Sequence, residues 1–164
     1  MSVVLRCAGA VPLEAPPARE PEAELGFAER FLIWALRRHM LEVRDPTAAH
    51  LLCDAFCAAG LTRSWDAFDA CGNLLAAAAP GLIGRQDGAM GPGPSAPEIA
   101  LLQATALLQA GAPAPAAHAL RSVLPPTLAR VMADPLAAFA RGYADRGYLL
   151  PIRLELMQAP CAVH

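Results

Sequence analysis

The residues of this chain best suited to chemistry are His50, Cys53 and Cys57, spaced i, i+3 and i+7 with Asp54 among them in the stretch DPTAAHLLCDAFCAAGL, residues 45–61. At about 100° per residue on a helix, these four gather on one side. Ala48, Leu52, Ala55 and Ala59 fall on the other, flanked by Leu51 and Phe56. Imidazole and thiolate are ligands for zinc, copper or iron, and a fourth could come from Cys71 or His39 on an adjacent helix. The candidate metal set is therefore His50, Cys53, Cys57 and Cys71, with zinc as the representative ion. Structural zinc sites usually take paired ligands from short knuckles, and a C-x3-C spacing within a helix lacks that signature. Free cysteine also packs as a small hydrophobe, so the leading expectation is that Cys53 and Cys57 pack against a second helix and that no cofactor is bound. A cysteine nucleophile would need a base and an orienting partner that spacing alone does not supply, and no catalytic residue is assigned.

Other candidates carry less. Asp66 and Asp69 could form an acid–base pair, but they lie early in a helix where its dipole favours negative charge, and capping explains them. His118 stands alone on a short helix, as a surface or core histidine does. Residues 80–94, PGLIGRQDGAMGPGP, form a breaker-rich loop that fits neither GxGxxG nor Walker spacing. It is expected to connect two helical halves, and an enzyme pocket beside it is a third-ranked reading. Arg30, Arg37 and Arg44 recur every seven residues beside Glu29 and Arg38, and are expected on a solvated face that pairs with neighbouring carboxylates.

The elements that must position these groups are helical. The first is expected from Glu22 to Val43, with Leu25, Ala28, Phe31, Leu32, Ala35 and Leu36 at helical spacing. Asp45 and Pro46 open the second helix and Gly60 closes it. Ser64 caps a third, Trp65 to Ala79. Ser95 and Glu98 form a capping box for a fourth, which reaches Gly111. A fifth covers Pro115 to Leu124. Thr127 to Ala133 is one further segment, and Asp134-Pro135 restarts the helix toward Gly147. The expected fold is all-α, a single-domain bundle of about six helices over residues 23–150. Residues 1–22 make a Pro-rich arm and 151–164 an extended tail. Ser2 to Cys7 and Ile152 to Leu156 are the segments that could make a short strand pair.

Composition bounds the rest. The 164 residues are 55% hydrophobic and 17% charged, enough for one sizeable core, and a net charge of −2 gives nucleic-acid binding no support. All thirteen basic residues are arginine, which reads as base-composition bias. The lack of lysine excludes a Walker loop, a pyridoxal Schiff base and a Ser–Lys dyad. Five cysteines, an odd number, and an N-terminus without a long apolar run point to a reduced cytoplasmic protein. FLIWAL is closed by Arg37 and Arg38, so no membrane span is expected.

The stretches RFLIWALRR, HLLCDAFCAAGL, SAPEIALLQATALLQAG and FARGYADRGYLLP resemble, in their order, small uncharacterised helical proteins of Alphaproteobacteria. That resemblance implies a helical domain and supplies no activity. The function expected is a cytoplasmic, non-enzymatic protein-interaction or regulatory module, acting on a protein partner or as a homodimer. The alternative is a metal-binding or redox-active protein using the His/Cys cluster.

Overall fold

A computed structural model describes residues 25–43, 49–78, 83 and 93–153. Within them lie six α-helices and no strand: α1 Phe27–Glu42, α2 Ala49–Ala58, α3 Trp65–Ala78, α4 Ala96–Gln109, α5 Pro113–Arg121 and α6 Pro126–Ala144, with a 3-10 turn, Thr62–Ser64, before α3. The all-α bundle expected from the sequence is what the chain forms. The N-terminal arm, Asp45 and Pro46, most of the 80–94 loop and nearly all of both proposed strands lie outside the described residues.

The ends of these helices follow from local chemistry. Gly60, Gly111 and Gly147 take the left-handed conformation, with φ of 71°, 72° and 80°. At each, the amide one residue further on reaches back five residues, as in Leu61 N–H to Phe56 O at 2.8 Å. This is the Schellman stop, a conformation glycine adopts without a Cβ penalty. Ser95 and Glu98 make the expected capping box: the Ser95 N–H donates to Glu98 Oε2 at 2.7 Å, and Ser95 Oγ accepts from the Glu98 N–H at 3.5 Å.

Four expectations about boundaries are corrected. α1 begins at Phe27 rather than Glu22, since Leu25 and Gly26 are not helical and Glu29 Oε2 accepts the Gly26 N–H at 2.7 Å. Ser64 is not a free-standing cap: it ends the 3-10 turn, which runs straight into α3, and is buried against Gly142. α5 starts at Pro113, two residues earlier than expected, because Pro113 and Pro115 both fit a first turn whose N–H groups need no helical partner.

The fourth correction is α6, one continuous helix with Pro135 inside it rather than two segments. Proline withdraws a hydrogen bond from the Val131 carbonyl, but Val131 lies on the solvent side, 50% exposed. Leu128, Met132, Leu136 and Phe139 form an unbroken buried stripe across the proline, and that burial holds the helix together. Pro135→Ala should therefore stabilise the fold by about 1–3 kcal/mol, since interior proline costs about 3 kcal/mol relative to alanine and part is returned through the freer unfolded chain. Thermal unfolding followed by circular dichroism should show Tm rising by several degrees.

Packing divides into two regions. In the first, all nine aromatic residues join one cluster: Phe27, Phe31 and Trp34 of α1, Phe56 of α2, Trp65 and Phe68 of α3, Phe139 and Tyr143 of α6, and Tyr148. Neighbouring centroids stand 4.7–6.4 Å apart, the range of favourable stacked and edge contacts. In the second, alanine and leucine dominate, and α4 is its axis, with every residue from Ala100 to Leu107 buried. A helix apolar nearly all round must be enclosed, and α1, α5 and α6 enclose this one. α6 spans both regions, aliphatic at its start and aromatic at its end.

Candidate functional site

The structure places Cys71 in a different environment from Cys53 and Cys57. Cys53 and Cys57 are exposed on the outer face of α2, together with Asp54, while Leu52 and Phe56 turn inward. The expected division of α2 into two faces holds for these residues, but the two cysteines do not pack against a second helix, as the leading expectation had them. Leu51 also departs, standing exposed. Cys71 is buried on α3, in the core with Phe68 and Leu75. Burial pushes its thiol up to about 12, the behaviour of an inert core cysteine. Among the described residues no three His, Cys, Asp or Glu groups converge as metal ligands. The His50 side chain lies outside the described atoms.

His39, the other potential fourth ligand, is occupied elsewhere. Its ring is buried between α1 and α3, with Nε2 2.9 Å from Asp69 Oδ1 and an edge-on contact to Phe68. Nδ1 is buried without a hydrogen-bond partner and lies against Gly72. Of the two ring nitrogens only Nε2 has a partner, so the Nε2–H is the one placed to donate to Asp69. Neither nitrogen is open to a metal. Asp69 is accordingly more than a helix-dipole residue: it receives His39 across the helix pair and Asn73 Nδ2 at 2.9 Å.

The arginine stripe is corrected at one position: Arg30 is exposed, as expected, and Arg44 lies outside the described residues, but Arg37 is not on a solvated face. Arg37 is buried, and its guanidinium forms a two-pronged pair with Glu98: Nε to Oε1 at 2.7 Å and Nη2 to Oε2 at 2.9 Å, with a further bond from Nη2 to the Gly93 carbonyl at 3.1 Å. Burial opposes ionisation of Glu98, but the bonds from Arg37 and from Ser95 outweigh it and hold the carboxyl below its usual range. Arg38 behaves as expected, pairing with Glu42 at 3.1 Å one turn along.

Glu29 repeats the Glu98 device. Each glutamate sits at the third position of its helix, caps a backbone N–H behind it, and grips a distant arginine with both oxygens. Glu29 takes Arg153, Nε at 2.8 Å and Nη2 at 2.9 Å. Arg153 belongs to the extended segment 148–153, which α4 holds through glutamine side chains. Gln109 donates to the Tyr148 carbonyl and accepts the Leu150 N–H, both at 2.9 Å, imitating a neighbouring strand. Gln103 Oε1 accepts the Arg153 N–H at 3.0 Å. Six residues of helix and three of extended chain both span about 9–10 Å, so the two glutamines match the segment's repeat. Sequence reasoning missed this clamp; Gln103 and Gln109, polar residues in a mostly apolar helix, were the available signal.

A shallow groove of about 430 Å³ lies between α5 and α6, lined by Ala117, Arg121, Thr127, Ala129, Arg130 and Ala133. It is remote in sequence from the 80–94 loop and contains no histidine, cysteine or carboxylate, so it offers no acid–base pair. His118 is exposed on α5.

The difference between the cysteines is directly measurable. In a background with Cys7 and Cys161 replaced by serine, a thiol reagent at neutral pH should modify Cys53 and Cys57 promptly and Cys71 only on unfolding; prompt modification of all three would show that Cys71 is accessible.

No described helix is long and apolar enough to cross a membrane. Comparison with family models, curated proteins and solved structures gives no significant match for this chain.

Proposed function

We propose that this chain is a non-enzymatic protein-interaction or regulatory module, working through an exposed apolar patch at the start of α1. The observation that carries the reading is where the aromatic cluster comes to the surface. Phe27 closes the stack against Tyr148 at 6.1 Å yet is 63% exposed, and Leu149 and Ile152, in the segment that Gln109 and Glu29 hold down, are 68% and 42% exposed. Large apolar side chains grouped on an anchored surface mark interaction sites. The anchoring matters because a rigid patch loses little entropy on binding.

Native mass spectrometry of the freshly purified, reduced chain tests the proposal. A dimer or a co-purified protein is expected, and Phe27→Ser with Leu149→Ser should release it while leaving the helical circular dichroism unchanged. A wild-type chain that is monomeric and bare at all concentrations overturns the reading.

A further inference from the structure

We propose that Cys53 and Cys57 form a two-thiolate site for one soft monovalent cation, of which Cu(I) is the biological example. The inference does not depend on the interaction patch, which lies on other elements.

The two residues stand one turn apart on α2, both exposed, with Asp54 between them. Thr62, in the 3-10 turn that follows α2, directs its hydroxyl to Cys57 Sγ at 3.9 Å and so constrains where that sulfur points. The thiols also sense each other. Partial desolvation, then the charge and hydrogen bonding of Cys57, and then Asp54 and Glu42, raise the Cys53 thiol above its ordinary range. Both cysteines are free thiols on the exposed face of α2.

Helical spacing decides what can join the sulfurs. Side chains four apart have Cβ atoms about 5–6 Å apart. A disulfide needs Cβ atoms about 3.8 Å apart, so closing one would distort α2. A linear sulfur–metal–sulfur bridge, whose bonds are no longer than the roughly 2.3 Å of zinc–sulfur, holds the sulfurs more than about 4 Å apart and fits the undistorted helix. The ligand count then selects the ion. Zinc seeks four ligands, and the structure removes Cys71 and His39 from the set. Cu(I) prefers soft sulfur and is satisfied by two. Binding forms two S–Cu bonds, releases two protons to solvent and transfers no electrons: two neutral thiols and Cu(I) become a bis-thiolate complex of charge −1.

The test is competition for Cu(I) against the chromophoric chelator bicinchoninate, under anaerobic reducing conditions with the full-length chain. One Cu(I) per chain is expected. Cys53→Ser and Cys57→Ser should each weaken binding by at least ~100-fold, at or above the top of the roughly 10–100-fold cost of losing an outer-shell partner. Cys71→Ser and the Cys7→Ser/Cys161→Ser double variant should leave affinity unchanged. Because thiolate coordination releases protons, affinity should rise with pH. All four exposed-site and control variants should keep the wild-type helical signal. Binding that survives in Cys53→Ser/Cys57→Ser overturns the site. So does a stoichiometry of one ion per two chains, which would indicate a four-sulfur cluster between copies, or a loss in His50→Ala as large as that in Cys53→Ser, which would indicate a mixed nitrogen–sulfur site.

Discussion

Glu98→Ala is expected to cost about 4 kcal/mol, because it breaks three connections at one fully buried carboxylate. The guanidinium of Arg37 loses both prongs of its pair and is left buried with only the Gly93 carbonyl. Removing one partner of a buried pair typically costs about 3–5 kcal/mol, mostly the penalty of the orphaned charge. The Ser95 N–H also loses its acceptor at the start of α4. Since α4 is the axis of the aliphatic region, the loss spreads to its contacts with α1, α5 and α6. Urea unfolding should show a lower midpoint with an unchanged slope. The sharper comparison is Arg37→Met with Glu98→Met: replacing both charges by apolar residues of similar size should recover most of the loss, because no lone charge is left behind. A double variant as unstable as Glu98→Ala would mean that the carboxylate acts through the cap rather than through the pair.

The same carboxylate makes stability depend on pH in a definite direction. Glu98 is held below its unfolded value, so its contribution is complete above the ordinary glutamate range and is lost as pH falls through the lower folded value. Acid unfolding of the wild type should steepen in that window. Glu98→Gln, uncharged at every pH, should be less stable at pH 7 and should show a shallower dependence below it.

What the sequence disclosed about this site, and what it hid, follows from the range of each interaction. The Ser95-to-Glu98 box is local, three residues across, and could be recognised from the sequence. The Arg37 to Glu98 pair spans 61 residues. Arg37 recurs with Arg30 and Arg44 at a spacing that signals a shared face but does not say where along it a neighbour sits. Arg30 stays exposed, whereas Arg37 meets α4: α1 lies against α2, α3 and α4, and Glu29, Arg37 and His39 are all buried. The stop at Gly60 was legible for the same local reason as the box. Pro135 misled because proline is a local signal, whereas the stripe that overrides it is cooperative along nineteen residues of helix. The polar face of α2 was legible at Cys53, Asp54 and Cys57, but the proposed fourth ligand was not: Cys71 matches the other two cysteines in chemistry, and α3 turns it into the core.

Gly72→Ala should be strongly destabilising, for a reason traceable to His39. A Cβ built on Gly72 would lie 2.6 Å from both Cε1 and Nδ1 of the His39 ring, inside any tolerated contact. The ring cannot easily swing away, since Asp69 holds Nε2 and Phe68 packs edge-on against it. The strain must be taken up by separating α1 from α3 or by breaking the His39 to Asp69 bond. Overpacking of this kind typically costs about 1–3 kcal/mol, and loss of the charge-assisted bond adds to it, so about 3 kcal/mol is expected. Glycine in a helix interior is itself about 1 kcal/mol worse than alanine, so a neutral site would show stabilisation, and the sign of the effect is therefore diagnostic. The partner variant closes the argument. His39→Ala alone should destabilise by removing ring packing, but in that background Gly72→Ala should become neutral or favourable, giving a coupling of about 2–3 kcal/mol between positions in direct contact. Additive losses in the double variant would mean that the ring does not occupy the space above Gly72, and that the close approach of α1 and α3 has another cause.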